Sequence, residues 1–212
     1  MNKILLIDGH SILNRAFYGV PPLTNFEGLH TNAVYGFINI MLKSLEDEHA
    51  DYIAVAFDLK APTFRHEMFA EYKGTRKPMP QELHEQVPVI KEVLAAMTIP
   101  VITLEGYEAD DILGTLAKRC QRDGFEVSIL SGDRDLLQLA DEHIKIRMPK
   151  TVKGQTSIEN YYPSDVIDKY QVTPEEFIDL KALMGDSSDN IPGVPGIGEK
   201  PATAIITKYK SI

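Results

Sequence analysis

Short apolar runs alternate with segments of helical periodicity along most of this chain, the pattern of βαβ units that feed a parallel sheet. Ile4-Leu5-Leu6-Ile7 leads into Asp8, and Ile53-Ala54-Val55-Ala56-Phe57 leads into Asp58. Pro100-Val101-Ile102-Thr103-Leu104 runs towards Glu108, and Val127-Ser128-Ile129-Leu130 towards Asp133. Between these strand-like runs, Ala33, Val34, Phe37, Ile38, Met41, Leu42 and Leu45 keep helical spacing, as do Val89, Ile90, Val93, Leu94 and Met97. A further strand over Ile144 to Met148 makes a sheet of about five strands. The polar segment Thr151 to Ser157 reads as a surface excursion. From Pro163 the pattern is helical, with Pro163 and Pro174 at first turns, each beside a Ser or Thr cap candidate.

Each of the four strand-like runs ends at an acidic residue, and that end of an open parallel sheet is where sites are built. The sets are Asp8; Asp58; Glu108, Asp110 and Asp111 in EADD; and Asp133 with Asp135 in SGDRD. Asp186 and Asp189 follow in GDSSDN. One such aspartate is ordinarily an N-cap or a turn residue, but the same pattern at four strand ends points to a site. Carboxylates gathered on one edge repel each other, and divalent cations relieve this. All-oxygen donors suit Mg²⁺ or Mn²⁺, whereas zinc is disfavoured because HExxH, paired cysteines and clustered histidines are missing. The histidines, His10, His30, His49, His66, His84 and His143, are scattered and read as surface or hydrogen-bonded residues; His10, close behind Asp8, is the one left open. Two ions about 4 Å apart are a known solution for phosphodiester hydrolysis.

A length of 212 residues suits one α/β domain with an appendage, and 43% hydrophobic with 25% charged residues is a globular balance. No apolar run reaches the roughly 18 residues of a membrane span, and MNKILLIDGHS lacks the features of a signal peptide. A cytoplasmic protein without membrane association is expected. Cys120 lies on the apolar stripe Ile112, Leu113, Leu116, Ala117 and is expected in the core. The net charge of −9 argues against a nucleic-acid partner. Position changes that conclusion: Lys60, Arg65, Lys73, Arg76 and Lys77 against Glu67 and Glu71 make the stretch from Lys60 to Pro80 net basic.

Within that stretch Phe64, Phe69 and Tyr72 interleave with Arg65, Lys73, Arg76 and Lys77, a mixture that suits phosphate pairing and base stacking on single-stranded nucleic acid as well as it suits a solvated loop. In NIPGVPGIGEK, Gly193, Gly196 and Gly198 allow a tight hairpin that Ile191, Val194 and Ile197 can anchor to helices on both sides. Backbone N–H groups at the start of the next helix, with Lys200, would face an anion. A backbone-binding helix-hairpin-helix is favoured over a plain turn.

These strings, LLIDGHSILNRAFY, VAFDLKAPTFRHEMFAEYKGTR, EGYEADDILGTLA, SGDRDLLQL and LMGDSSDNIPGVPGIGEK, together resemble the 5′ nuclease family over essentially the whole chain. The resemblance is to the 5′→3′ exonuclease domain of bacterial DNA polymerase I and, beyond it, to the flap endonucleases. It implies an α/β, PIN-like catalytic domain over 1–160, with a mostly parallel central sheet flanked by helices and a helical arch at about 60–90. A helical region with the helix-hairpin-helix follows over 161–212. It implies that Asp8, Asp58, Glu108 and Asp110, with Asp111 alongside, surround one Mg²⁺ or Mn²⁺ ion, and that Asp133, Asp135, Asp186 and Asp189 surround another. Lys73 and Arg76 match the family's basic pair at the arch base, and Tyr72 an aromatic that packs on the substrate. Arg15, Phe17 and Tyr18 match a helix that approaches DNA. The hairpin, Gly193, Val194, Gly196, Gly198 and Lys200, would bind the duplex backbone with the help of K⁺. The implied substrate is DNA with 5′ flaps, nicks or ends, cut by a monomer, with a polymerase module following in the natural gene.

Two departures bear on DNA holding. Pro201-Ala202 stands where the family has Thr-Ala, which deletes one N–H. The chain ends at Ile212 where relatives continue with further helices. A PIN-type ribonuclease shares the acidic edge but lacks the basic arch and hairpin, a non-cleaving branched-DNA binder would have lost ligands, and an aspartyl-phosphate phosphatase would have Asp-x-Asp where Asp8-Gly9-His10 stands.

Overall fold

The computed structural model describes residues 1–152 and 155–212. Its centre is β1 (Lys3–Asp8), whose alternate side chains enter different cores: Leu5 and Ile7 on one face of the sheet, Leu6 on the other. A strand buried on both faces must be apolar throughout, which is why KILLID reads as a continuous run. Beside it lie β2 (Tyr52–Ala56) and β4 (Glu126–Leu130), both parallel to it; β3 (Val101–Ile102) and β5 (Ile144–Val152) extend the sheet outwards. The order is β3-β2-β1-β4-β5-β6. The chain therefore moves from the β2 side of β1 to the β4 side, leaving a switch point between the carboxyl ends of β1 and β4, where open sheets bind ligands.

The segment expected as a polar excursion forms most of a hairpin instead. β5 continues to Val152 and β6 (Gln155–Tyr161) returns antiparallel to it, so the sheet has six strands rather than five. Period-2 hydrophobicity is weak in an edge strand exposed to solvent, so composition alone hides it. Lys153 and Gly154, within the expected excursion, lie outside the described residues.

Helices cover both faces. On one side α1 (Gly9–Gly19), α2 (Asn32–Glu48) and α5 (Gln86–Ala96) enclose Phe37, Phe57, Ile90 and Leu94. On the other, α6 (Ala109–Arg122) packs through Ile112, Leu113 and Ala117, with Cys120 partly buried against the same core. Between β2 and α5 the expected arch consists of short α3 (Phe64–Met68), turns, and α4 (Gln81–His84). After β6, α7 (Pro163–Tyr170), α8 (Glu176–Met184) and α9 (Glu199–Tyr209) bring Val166, Phe177, Leu180 and Ile206 into the core that holds Leu6. Pro163 opens α7 as expected, but Tyr162 occupies the cap position. Before α8, Thr173 Oγ1 accepts from Glu176 N at 3.1 Å while Glu176 returns the bond to Thr173 N at 2.9 Å, a reciprocal N-terminal cap.

One buried polar cluster stands apart from the acidic edge. Glu48, at the end of α2, accepts from Ser128 Oγ on β4, from Lys145 Nζ at 2.9 Å and from Arg147 on β5. Arg147 is 3% exposed. Burial opposes ionisation of Glu48, yet the Ser128 and Lys145 hydrogen bonds and the Arg147 charge hold its carboxyl below the ordinary 4.5. Its contribution is therefore complete above that pH and is lost as the pH falls below it. Glu48→Gln is expected to cost about 3 kcal/mol at pH 7, because it removes the buried carboxylate that faces Arg147 and Lys145 and leaves Arg147 only the more exposed Asp47 as counter-charge. Urea unfolding of both proteins at pH 7 and pH 3.5 checks this: the gap should narrow at the lower pH, and equal stability at pH 7 would contradict it.

Candidate metal centre

Asp8 closes β1 and caps α1, accepting from Ser11 N at 3.0 Å and from Ser131 Oγ at 2.7 Å. It is 8% exposed, and burial, against the pull of those hydrogen bonds, lifts its pKa from 3.8 to about 6. Ser131 also accepts from Asp133 N at 3.0 Å, so one hydroxyl bridges the switch point from β1 to the β4 side. Asp58, just past β2, accepts from Ala109 N at 2.7 Å and meets His10 Nδ1 at 3.1 Å. Burial opposes its ionisation, but these partners hold it below the usual carboxylate range. His10 is thus a hydrogen-bonded neighbour of the acidic edge.

Glu108 caps α6, which projects EADD onto the same edge. Asp111 takes a two-pronged pair from Arg65 at 2.7 and 2.8 Å and accepts from Glu108 N at 3.0 Å. Asp110 has no such cation. Burial, then the charges of Asp111 and Glu108, push it from 3.8 to about 7.

The second acidic group is held by Lys181 of α8, which sequence reasoning did not single out. Its ammonium bridges Asp135 at 2.8 Å and Asp186 at 2.6 Å. Asp186 also accepts from Ser188 N at 2.8 Å and Ser188 Oγ at 2.6 Å. Burial works against it, but Lys181 and Ser188 hold its pKa near 2. Asp133 is exposed and accepts from Asp135 N at 2.9 Å. Lys181 shares no periodic stripe with the aspartates in the sequence; only the fold of α8 against the SGDRD turn brings them together.

The basic stretch lies on this edge. Lys73 Nζ is 2.8 Å from Glu108, Arg76 pairs with Asp189, and the Tyr72 hydroxyl stands 3.0 Å from both Glu108 Oε2 and Asp189 Oδ2. Tyr72 is 4% exposed, its ring edge-on to His66, so it does not offer a face to a base. Burial and the two carboxylates drive its phenol far above the ordinary range, which keeps it a donor. Among the described residues, no three acidic, imidazole or thiol groups stand as they are in an arrangement that encloses an ion. Carboxylates are instead joined pairwise through Tyr72, Lys73 and Lys181.

The expected DNA contacts divide. Arg15 is half-buried beside Gly19, Gly36 and Asn39 in a cleft between α1 and α2, while Tyr18 is exposed with its ring edge-on to Phe17. Lys77 is exposed; Arg65 is engaged by Asp111. In the hairpin, Gly196 has φ +81°, and a side chain on Gly193 would sit 2.2 Å from the Met184 backbone, so both positions require glycine. A small antiparallel pair, β7 (Gly185–Asp186) with β8 (Ile191–Pro192), opens the hairpin. Ile197 packs on the core, but Ile191 and Val194, expected as anchors, are exposed, because the β7–β8 pairing turns that arm of the hairpin outwards. Gly198 precedes α9, Lys200 is exposed in its first turn, and Pro201 fits there because no carbonyl is waiting for its N–H.

Two family models match the chain: the 5′-3′ exonuclease N-terminal resolvase-like domain over residues 3–171 and the 5′-3′ exonuclease C-terminal SAM fold over 172–212. DNA polymerase I of Bacillus caldotenax and that of Bacillus subtilis (strain 168) are each 53% identical to it over 210 residues, 99% of the chain. The chain spans 24% of the length of these relatives. A T5 5′-exonuclease structure with divalent metal ions (zinc) bound has TM-score 0.78 at 26% identity, covering 99% of this chain and 76% of that one. A bacteriophage T5 flap endonuclease in a pseudo-enzyme–product complex with DNA and metal ions has TM-score 0.79 at 25% identity, covering 100% and 76%. Flap endonuclease-1 from Methanococcus jannaschii, at 20% identity, shares the fold, with TM-score 0.65. Among the described residues no helix is long and apolar enough to cross a membrane.

The Asp110 geometry carries a test. Its folded pKa is raised, so its ionisation penalises the fold increasingly as pH climbs from about 4 to about 7, and fully above that. Without divalent cations, Asp110→Asn is expected to be more stable than the parent at pH 8 by on the order of 2 kcal/mol after solvent screening. At pH 4 the advantage should vanish. Calorimetric melting in EDTA decides it, and a variant less stable at pH 8 would contradict the account.

Proposed function

This chain belongs to the 5′-3′ exonuclease family, and from that membership and the acidic edge at the sheet's switch point we propose that it hydrolyses DNA phosphodiesters at 5′ ends, nicks and flaps using two divalent ions. The observation that carries the reading is that carboxylates from the ends of β1 and β2, α6, the SGDRD turn and the GDSSDN loop gather at the carboxyl edge of the sheet, where a basic strap pairs with Glu108, Asp111 and Asp189. The donor set fits hard cations: every one is a carboxylate oxygen. The side-chain cations that now touch them, Lys181 between Asp135 and Asp186 above all, mark where positive charge is needed. Asp8, Asp58, Glu108, Asp110 and Asp111 would hold one ion; Asp133, Asp135, Asp186 and Asp189 would hold the other.

Bound Mg²⁺ or Mn²⁺ supplies Lewis acidity to the scissile phosphate and a water activated near neutral pH. The protein supplies position and charge. Lys73 and Arg76, paired with Glu108 and Asp189, exchange those carboxylates for the phosphate and stabilise charge developing on it. Arg65 and Lys77 serve the single strand, and Arg15 with Phe17 and Tyr18 the neighbouring duplex. Backbone N–H groups from Gly193 to Gly198, with Lys200 nearby, take the duplex phosphates, with K⁺ at the hairpin carbonyls. The reaction belongs in the cytoplasm, with the protein acting as a monomer beside a polymerase module in the natural gene.

A 5′-labelled flap duplex incubated with Mg²⁺ or with EDTA tests the reading. Asp58→Ala and Asp133→Ala should each lower cleavage at least a hundredfold; activity that survives chelation, or two variants that cut like the parent, would refute it. Lys73→Ala should slow turnover by roughly a hundredfold while duplex affinity changes less than threefold. Unchanged turnover would remove Lys73 from its role.

A further inference from the structure

Three hydrogen bonds join the arch base to the GDSSDN loop without using any carboxylate. Lys73 N donates to Asp189 O at 2.8 Å. Asn190 Nδ2 donates to Glu71 O at 2.8 Å, and Arg76 Nε to Ser188 O at 3.1 Å. Two of the residues involved, Lys73 at φ +56° and Asn190 at φ +58°, sit in the left-handed region, which non-glycine residues adopt only when their surroundings hold them there. The carboxylates that meet a side-chain cation, Glu108, Asp111, Asp135, Asp186 and Asp189, can exchange that cation for another partner. The Lys73 N and Asn190 bonds use neither an exchanging cation nor a carboxylate, so such an exchange does not displace them.

We infer that Asn190 is a positioning residue: its side-chain amide fixes the Glu71 carbonyl, and with it the register of Lys73 and Arg76 against the acidic edge. With the Lys73 amide held at Asp189 O and Glu71, two residues earlier, held by Asn190, the Lys73 side chain reaches Glu108 at 2.8 Å. Without the Asn190 amide, the carbonyl of Glu71 keeps only the local bond from Gly74 N, and the main chain of the loop meets the strap only through Lys73 N and Arg76 Nε. An aspartate at 190 adopts the left-handed conformation nearly as well as asparagine, and a glycine better, but neither can donate to that carbonyl. The backbone requirement and the donor requirement can therefore be separated. The inference rests on the nuclease reading only for its kinetic consequence.

The test compares the parent with Asn190→Asp and Asn190→Gly. Hydrogen exchange by mass spectrometry in EDTA reads the strap directly: the peptide spanning Glu71 to Arg76 should exchange about tenfold faster in both variants, as expected for one lost hydrogen bond. Peptides from β1 and β4 should be unchanged, which separates loss of register from global unfolding. With Mg²⁺ and the flap duplex, kcat should fall about tenfold in both variants while KM stays within twofold. Parental exchange at 71–76 in both variants would overturn the coupling. Faster exchange with parental kcat would overturn the positioning role. If the parent itself fails to cut the duplex, the nuclease reading fails and the exchange arm alone decides the coupling.

Discussion

Mutual repulsion among carboxylates at one sheet edge is the constraint to which the surrounding structure answers. Two unit charges about 4 Å apart at a protein surface interact by about 4 kcal/mol, and a whole domain is stable by only about 5–15 kcal/mol. Nine acidic side chains on one edge are therefore tolerable only where each finds a cation, a hydrogen-bond donor or a proton. All three solutions are visible. Arg65 answers Asp111, Lys181 answers Asp135 and Asp186, and Arg76 answers Asp189. Ser131 and the Ser11 amide serve Asp8. Asp110, left without a cation, and Asp8, buried deepest, retain their protons to about pH 7 and 6.

The same arrangement links stability to chemistry. A guanidinium or ammonium paired with a carboxylate is close to neutral in net free energy once desolvation is counted, so its exchange for a phosphate oxygen has little cost. Under the proposed function, the basic strap would serve as counter-charge to the acidic edge in one state and as a phosphate grip in another. Such an exchange needs the strap to stay in register while its partners change. The bonds from Lys73 N to Asp189 O and from Asn190 to Glu71 O, both ending on backbone carbonyls, satisfy that requirement.

Ser131 links the two acidic groups, and Lys181 holds the second together. Lys181 rises from α8, whose apolar face shares a core with Leu6 of β1, and so ties the helix-hairpin-helix region to the SGDRD turn. Ser131 spans the gap between β1 and β4 that the strand order creates. Neither residue is acidic, and Lys181 stands outside the motifs that announce the chemistry, whereas Ser131 opens SGDRD.

Periodicity alone was enough to read the parallel strands and the larger helices, because a doubly buried strand such as Leu5-Leu6-Ile7 must be apolar and a one-sided helix such as Ala33 to Leu45 must repeat near 3.6. The candidate ligands were legible for a related reason: a strand end is a fixed place in an open sheet, so a carboxylate there has a known neighbourhood. Strand β5 was legible over Ile144 to Met148, where Ile144 and Ile146 enter the core, but its continuation to Val152 and the return strand β6 were not, since the polar stretch from Thr151 to Ser157 carries no apolar alternation. Nor was the outward turn of Ile191 and Val194, which depends on how β7 pairs with β8. Which cation meets which carboxylate, whether Tyr72 faces solvent or Glu108, and that Lys181 and Asn190 take part at all were decided only by tertiary structure. Those contacts join residues up to 119 positions apart, and no local pattern encodes a meeting that only the completed packing creates.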